Sequence, residues 1–220
     1  MYKEEFSRYF DHTLLKQDMT LIQLETLVQE GLEWGFASIC IPPLYVSAAR
    51  QMDSQIPIAT VIDFPLGYGG LAAKLDAAEA ALKEGADELD VVASAALLKN
   101  RDYEAYGQEI SRIKMLMPDK TLKVIIETSL LQPEEILLAS QICQERGADY
   151  VKTSTGFGAR GASLEDIRLI REGAPGCLIK ASGGIRTLED ALAFISAGVQ
   201  RIGSSNAVSI LSLFVSSQVL

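Results

Sequence analysis

The sequence predicts an α/β fold in which eight short parallel strands alternate with helices and close into a (β/α)₈ barrel. Three observations lead to this class. Helix-like stretches that end in glycine recur before apolar runs, the runs are nearly continuous in apolar residues, and polar residues gather where the runs end. An open doubly wound sheet fits less well, because no GxGxxG motif follows an early strand.

The 220 residues contain 48% hydrophobic residues, enough for one barrel core, and no Pro/Gly/Ser-rich linker divides them. We therefore expect a single domain over residues 1–220. The repeated αβ unit is clearest at Gly35, Gly85, Gly147 and Gly198, which each follow a helix-like stretch. Glycine there supplies the positive φ that ends a helix, and the chain then enters a strand within the usual loop length.

Seven strands follow from short apolar or β-branched runs that helical stretches separate. An eighth, shorter strand is predicted at residues 10–14, and residues 71–84 have the spacing and composition of a surface helix. In chain order the seven runs are ASICI (37–41), IATVIDF (58–64), ELDVV (88–92), LKVIIET (122–128), YVKTS (150–154), LIKAS (178–182) and RIGSS (201–205).

The charge pattern argues against binding to nucleic acid or to an anionic membrane surface. The formal net charge is −9, acidic and basic residues are interspersed, and no run is rich in lysine and arginine. The first ten residues, MYKEEFSRYF, lack the features of a signal peptide, and no apolar run has membrane length. We expect a cytoplasmic protein whose partners are small molecules.

Metal and disulfide chemistry have little support in the residue counts. The three cysteines, Cys40, Cys143 and Cys177, are far apart and form no CxxC motif, so buried thiols are expected. His12 is the only histidine, which excludes a zinc site that needs two or three imidazoles from one chain. No metal and no organic cofactor are predicted.

Two lysines lie inside apolar strand runs and are the first candidates for catalysis. Lys152 is in YVKTS and Lys180 is in LIKAS, on neighbouring predicted strands. If both point inward, each ammonium makes protonation of the other more costly, so the pKa of one lysine falls and it becomes an imine-forming nucleophile. The alternative is that each lysine pairs with a barrel carboxylate such as Glu88, Asp90 or Glu127.

Asp90 is the candidate for proton transfer. Glu88 and Asp90 share one face of their strand, and Asp90 lies nearer the carboxyl end, where barrel enzymes have their active sites. A carboxylate there can pass protons between a substrate hydroxyl and a nascent carbonyl. Alternatively, Asp90 balances the positive charge of the two lysines, and the sequence does not distinguish between these two roles.

Glycine-rich loops follow the last two strands. SGGIRT and GSSNAV allow backbone N–H groups to approach an anion, each ahead of a helix start, at the place where barrels often bind phosphate. Turns that serve only connectivity remain the alternative. Near the N-terminus, Asp11 and Thr13 are expected to cap a helix or fix a loop, and His12 to pack.

These motifs resemble the deoxyribose-phosphate aldolases, which are class I aldolases with a TIM-barrel fold. VKTSTGF and IKASGGIRT are the specific elements, and the resemblance extends along nearly the whole chain. The residues that carry it are DHTLLK (11–16), FPLG (64–67), ELDVV (88–92), LKVIIET (122–128), VKTSTGF (151–157), IKASGGIRT (179–187) and RIGSS (201–205).

The resemblance implies cofactor-free, reversible cleavage of 2-deoxy-D-ribose 5-phosphate to acetaldehyde and D-glyceraldehyde 3-phosphate. Lys152 would form the Schiff base, Lys180 would lower its pKa, and Asp90 would transfer protons. Another class I or transaldolase-like aldolase acting on a different sugar phosphate, and a non-catalytic phosphosugar-binding barrel, are the alternatives. The residues that would face the phosphate are Gly156, Gly183, Gly184, Gly203, Ser204 and Ser205.

Some positions depart from the family pattern and bear on substrate fit. Ser94 stands where Asn is common, Asp63 where Gly is common, and Asn206 where Ser is common. The tail SSQVL (216–220) has no Tyr to fold over the site. A homo-oligomer, most simply a dimer, is expected, and the apolar segment at residues 207–217 either caps the barrel or meets the partner.

Overall fold

A computed structural model describes residues 1–214 and contains the predicted closed barrel. Eight strands pair in parallel in the order of the chain, and β8 pairs with β1 to close the sheet. The predicted fold class is confirmed. The strands are β1 Phe10–Thr13, β2 Ser38–Ile41, β3 Ile58–Ile62, β4 Glu88–Val92, β5 Thr121–Ile125, β6 Tyr150–Lys152, β7 Leu178–Ser182 and β8 Arg201–Ser204.

Helices follow the strands and cover the outside of the barrel. The helix predicted at residues 71–84 is observed at Gly70–Lys83, and the four glycines that were expected to end helices all have positive φ, between 61° and 109°. The helices are α1 Lys3–Ser7, α2 Leu21–Trp34, α3 Val46–Met52, α4 Gly70–Lys83, α5 Ala95–Lys99, α6 Tyr103–Leu116, α7 Pro133–Glu145, α8 Leu164–Gly173, α9 Leu188–Ser196 and α10 Ala207–Leu213.

Two clusters of buried apolar residues are present: a large core between the strands and the helices, and a much smaller cluster. That smaller cluster consists of Cys40, Ala59 and Val61, with Leu15 and Phe64 packed against it. It belongs to the face of the strands that also carries the charged residues, since side chains alternate along a strand. The barrel interior is therefore largely polar.

The expectations for cysteines and membrane segments can be compared with the described residues. Cys40 and Cys143 are buried as predicted, and Cys177 is half-buried. No helix within residues 1–214 has both the length and the apolar character needed to cross a membrane. In the same range, no group of three or more His, Cys, Asp or Glu side chains is arranged to hold a metal ion.

The N-terminal motif differs from its prediction. Asp11 is not a helix cap, because it lies in strand β1, and α2 begins only at Leu21 after the N-cap Thr20, whose side chain accepts from the backbone of Gln23. The short eighth strand predicted at residues 10–14 is therefore confirmed, whereas the cap role expected for Asp11 is wrong. His12 does pack as expected, 4.9 Å from the ring of Phe36.

A buried ion pair outside the barrel interior joins α4 to α6. Lys74 Nζ lies 2.7 Å from Glu109 Oε2, both side chains are almost completely buried, and Glu109 also accepts from the backbone N–H of Ser94 at 3.1 Å. The contact ties the helix after β3 to the loop after β4. Lys74 is the only cationic side chain within 4 Å of Glu109 among residues 1–214, so truncation of Lys74 would leave this carboxylate without a close cation.

We expect Lys74→Ala to lower the free energy of unfolding by about 3–5 kcal/mol, because an uncompensated buried carboxylate would remain. Lys83→Ala, on an exposed position of the same helix, is the matched control and is expected to change it by less than about 0.5 kcal/mol. Urea unfolding of both variants measures the difference. Equal stabilities would contradict the importance assigned to the pair.

Candidate active site

The barrel interior holds a cluster of charged side chains. Lys152 and Lys180 are register partners on β6 and β7, so the predicted adjacency of the two lysines is present. Both are buried, as are the acids near them. The cluster contains four cations, Lys123, Lys152, Lys180 and Arg201, and three carboxylates, Asp11, Glu88 and Asp90.

Asp90 is at the centre of the lysines. Its Oδ2 accepts from Lys152 Nζ at 2.7 Å and from Lys180 Nζ at 2.6 Å, while its Oδ1 accepts from Lys123 Nζ at 2.8 Å. The side chain of Asp90 is fully buried. These attractions outweigh the effect of burial and hold the pKa of Asp90 well below its usual range. Asp90 is therefore an anion that contacts all three lysines.

The second half of the cluster lies around Asp11 and Glu88. Asp11 Oδ2 is 2.5 Å from Lys180 Nζ, and Asp11 Oδ1 also accepts from Arg201. Glu88 Oε1 is 2.9 Å from Arg201 and Glu88 Oε2 is 2.5 Å from Lys123 Nζ. Lys180 and Arg201 therefore have carboxylate partners on strands far away in sequence.

Lys152 is the one cation of the cluster whose pKa is lowered. Burial has the largest effect and lowers the pKa of Lys152, and the charge of Lys180 lowers it further, whereas Asp90 acts in the opposite direction without cancelling them. Four cations face three carboxylates, so the cluster is neutral when one lysine is deprotonated. A neutral amine at Lys152 can still donate its hydrogen bond to Asp90.

The other lysines keep their protons. Burial disfavours the charge of Lys180, but attraction to Asp11 and Asp90 is stronger in sum and raises its pKa. The pKa of Lys123 is raised for the same reason, by Asp90, Asp11 and Glu88. The sequence argument expected the pKa of one lysine of the pair to fall, and the pKa of Lys152 is lowered; burial is the main cause, and Lys180 adds a smaller lowering that is opposed by Asp90.

A cavity of about 230 Å³ opens at the carboxyl ends of β1, β6, β7 and β8. Lys152 lies in its wall together with Thr155 and Phe157 from the loop after β6. Asp90 and Lys180, the neighbours of Lys152, are not among the residues that line the cavity. All six residues expected to face a phosphate line it: Gly156, Gly183, Gly184, Gly203, Ser204 and Ser205.

Several backbone N–H groups of this cavity wall are available to a ligand. Within residues 1–214, no acceptor is found for the N–H groups of Gly156, Gly183, Gly184 and Ser205. The first three are glycines with φ between 80° and 87°, a conformation that other residues rarely adopt. Unpaired N–H groups on residues that line one cavity are the elements of an anion-binding nest.

A capping box organises the start of α9, directly after the SGGIRT loop. Asp190 Oδ2 accepts from the backbone N–H groups of Arg186, at 3.3 Å, and Thr187, at 3.2 Å, in a capping box at the start of α9. In return, the N–H of Asp190 donates to Thr187 Oγ1 at 3.1 Å, which satisfies one of the free donors of the first helical turn. The loop glycines themselves provide the N–H groups.

Some residues of the site were not predicted. Lys123 and Arg201 are charged residues inside strands β5 and β8, and the signal that identified Lys152 was equally present for them. Lys16 and Arg186, both exposed, line the cavity and add positive charge at its opening. Glu127 does not pair with a lysine, since its carboxylate accepts instead from Thr155 and Ser129.

The departures from the family pattern have structural partners. Asp63, at φ 53°, accepts from the backbone N–H of Gly69 at 2.8 Å and lies 3.5 Å from Lys74. The backbone N–H of Asn206 donates to Ser204 Oγ at 3.0 Å, beside the cavity. The tail at residues 216–220 lies outside the described residues, as does the last part of the segment at 207–217.

Comparisons with known proteins agree with this architecture. The family model for the DeoC/LacD family aldolase matches residues 7–208. The deoxyribose-phosphate aldolase of Staphylococcus carnosus (strain TM300) is 46% identical over 210 residues, 94% of this chain and 96% of the relative. That of Dictyoglomus turgidum (strain DSM 6724 / Z-1310) is 43% identical over 215 residues, 96% and 98% of the two chains. The tetrameric structure of deoxyribose phosphate aldolase from Aeropyrum pernix has a TM-score of 0.89 at 34% identity, covering 96% of this chain and 91% of that chain.

A closed (β/α)₈ barrel with a buried lysine in the wall of its carboxyl-end cavity belongs to the class of TIM-barrel aldolases. The matched model spans most of the chain, and the relatives named above are similar over almost their full length. The chain belongs to the DeoC/LacD family of aldolases. It is a lyase, and its substrates are small molecules.

Proposed function

We propose that this enzyme reversibly cleaves 2-deoxy-D-ribose 5-phosphate to acetaldehyde and D-glyceraldehyde 3-phosphate through a Schiff base on Lys152. One observation carries the proposal: a buried lysine with a lowered pKa shares a cavity with four unpaired N–H groups. The lysine can attack the carbonyl carbon at one end of the sugar phosphate, and the N–H groups can donate hydrogen bonds to the phosphate at its other end. The names of the relatives agree with this substrate.

The reaction begins with attack of neutral Lys152 Nζ on the C1 aldehyde of the open-chain sugar. Loss of water gives an iminium, which accepts the electron pair of the C2–C3 bond as that bond breaks. Asp90, through a water molecule, takes the proton of the C3 hydroxyl, so that C3 leaves as the aldehyde of the three-carbon product. The remaining enamine is protonated at C2 and hydrolysed, which releases acetaldehyde and restores Lys152.

The other lysine has a supporting part in this proposal. Lys180 remains charged and contacts the same oxygen of Asp90 as Lys152 does, at 2.6 Å. Its charge disfavours protonation of Lys152 and keeps a proton near Asp90. The phosphate is held by the nest at the ends of β6, β7 and β8, with Arg186 and Lys16 at its rim.

Borohydride trapping with 2-deoxyribose 5-phosphate tests the proposal. Reduction of the iminium is expected to leave one adduct on Lys152, identified by peptide mass analysis and absent from the Lys152→Ala variant. Acetaldehyde among the released products, together with the adduct, distinguishes this activity from aldolases that release a different carbonyl compound. Binding of the sugar phosphate without any adduct would favour a non-catalytic phosphosugar-binding barrel and would contradict the proposal.

Gly161→Ala is expected to weaken phosphate binding. A Cβ at Gly161 would lie 1.9 Å from the carbonyl oxygen of Gly183, so the loop that presents Gly183 and Gly184 must move. We expect KM for the phosphorylated sugar to rise about tenfold or more, as displaced binding groups of an active site commonly cause. Steady-state kinetics measures the change.

Gly176→Ala is the matched control for this variant. It lies between α8 and β7, at the other end of the barrel, and its Cβ would meet only the end of the Gln144 side chain at 3.0 Å. Its KM is expected to equal that of the unaltered enzyme. A normal KM in Gly161→Ala would argue that the loop does not hold the phosphate.

We further propose that residues 1–220 act as one domain, in the cytoplasm, and as a homo-oligomer whose simplest form is a dimer. Residues 1–214 contain one closed barrel, which supports the single domain. Exposed apolar side chains on α2 and in the segment before α3, Leu21, Ile22, Leu32 and Leu44, support association of copies. Light scattering of the purified protein measures the state.

A further inference from the structure

Glu127 is a buried carboxylate whose role the reaction above does not explain. It lies two residues after the end of β5, has φ 50° although it is not glycine, and is 6% exposed as a residue. Within residues 1–214 no Lys or Arg nitrogen lies within 4 Å of it. Burying a carboxylate on a left-handed residue is costly, and the attraction to Arg160 acts only from beyond 4 Å, so the hydrogen bonds of Glu127 help to offset that cost.

Those contacts are directed at the loop after β6. Glu127 Oε2 accepts from the backbone N–H of Thr155 at 3.0 Å and from Thr155 Oγ1 at 2.5 Å, and Glu127 Oε1 accepts from Ser129 Oγ at 2.8 Å. Thr155 Oγ1 in turn accepts from the backbone N–H of Phe157 at 3.1 Å. The carboxylate, the hydroxyl and the amide thus form one chain of hydrogen bonds.

Gly156 lies between the two residues that this chain holds. The N–H groups of Thr155 and Phe157 are turned toward Glu127 and the Thr155 hydroxyl, whereas the N–H of Gly156 has no acceptor in the described part of the chain. Gly156 lines the cavity with Gly183, and the ideal Cβ position of Gly156 is 3.7 Å from Gly183 Cα. The orientation of the Gly156 N–H therefore depends on Glu127.

We infer that Glu127 is a positioning residue for the phosphate of the substrate, and that it acts through Thr155. The inference rests on the proposed function. Glu127 does not line the cavity that contains Lys152, but a neighbouring apolar pocket bounded by Leu66, Leu130 and Phe157. It fixes the loop from behind, so its loss should affect binding of the phosphate and leave the chemistry at Lys152 intact.

The test compares 2-deoxyribose 5-phosphate with 2-deoxyribose, which lacks the phosphate. In Glu127→Ala we expect KM for the phosphorylated sugar to rise about tenfold or more, the effect of losing one or two good hydrogen bonds to the anion. Cleavage of 2-deoxyribose and borohydride trapping on Lys152 are expected to stay within about twofold of the unaltered enzyme. Glu127→Gln keeps an oxygen that can accept both bonds from Thr155 and is expected to restore most of the affinity.

Two further variants separate positioning from general stabilisation. Ser129→Ala removes the third hydrogen bond of Glu127 without touching the loop after β6, and its KM is expected to be unchanged. Thr155→Val breaks the chain at its middle, and the double variant Glu127→Ala/Thr155→Val is expected to be no worse than either single variant. If Glu127→Ala does not fold, Thr155→Val compared with Thr155→Ser gives the same test.

The inference would be overturned if Glu127→Ala impaired cleavage of both sugars equally. It would also be overturned if the effects of Glu127→Ala and Thr155→Val on KM were additive in the double variant. A normal KM in Glu127→Ala, with trapping on Lys152 intact, would overturn it and leave the proposed function standing. Absence of an adduct with either sugar in the unaltered enzyme would instead contradict the proposed function. The two failures are therefore distinguishable in one set of measurements.

Discussion

Lys152→Ala and the longer Lys152→Met are expected to lose about 10⁴-fold or more of the cleavage rate, because no other group can supply the covalent iminium. The fold is expected to survive. With Lys152 removed, Lys123, Lys180 and Arg201 still face three carboxylates, so the buried cluster remains balanced. Turnover is measured by release of acetaldehyde, and folding by thermal unfolding.

Lys152→Met serves as the better control for packing, since it fills nearly the same volume without an amine. A folded Lys152→Met variant that still cleaves the sugar at a rate near that of the unaltered enzyme would contradict the role of Lys152 as the Schiff-base lysine. The neighbouring Lys180 would then be the candidate for the Schiff base, although its pKa is raised by Asp11 and Asp90.

Asp90→Asn is expected to reduce cleavage by about 10²–10⁴-fold, the range of general acid–base catalysis, while imine formation continues. It should also lower the free energy of unfolding by about 3–5 kcal/mol, because three lysines lose the carboxylate they share. Single-turnover kinetics measures cleavage, borohydride trapping measures the imine, and urea unfolding measures stability.

The Asp90→Asn substitution is also expected to shift the pH profile of borohydride trapping in a definite direction. Asp90 raises the pKa of Lys152, so its removal lowers that pKa further and leaves more neutral amine at acid pH. The trapping rate of Asp90→Asn should therefore persist to a lower pH than that of the unaltered enzyme. A shift of the profile to higher pH would contradict the placement of Asp90 as the anion beside Lys152.

Glu88→Gln is the matched control for Asp90→Asn. Glu88 lies two residues earlier on β4 and contacts Lys123 and Arg201, but not Lys152. Its loss is expected to reduce stability while cleavage is largely retained. Similar losses of cleavage in both variants would mean that the charge of the cluster, and not proton transfer by Asp90, controls the rate.

The lysine pair and the glycine loops could be predicted because their signals are local. A charged residue inside an apolar strand run stands out, as Lys152 and Lys180 do, and SGGIRT and GSSNAV show their glycines directly. The alternation of helix-ending glycines and strands likewise needs only neighbouring residues. The barrel, its strand order and the cavity-lining loops follow from such patterns.

The partners of these residues could not be predicted in the same way. Lys180 contacts Asp11 across 169 positions of the chain, whereas the immediate neighbours of Asp11 suggested only that it caps a helix or fixes a loop. The role of Glu127 depends on Thr155, a residue on the next strand's loop that no spacing rule connects to it. These contacts exist only once the barrel closes.

Short-range preferences for helix, strand and turn are encoded residue by residue, so the sequence was enough to predict the barrel, the pair of strand lysines and the glycine loops. The charge state of Lys152 was not encoded in this way. Closure of the barrel brings β1, β4 and β5 to β6, β7 and β8, removes water from the interior, and sets four cations against three carboxylates. Burial and charge balance in that assembled interior, which are properties of the tertiary structure, determine which lysine has the lowered pKa.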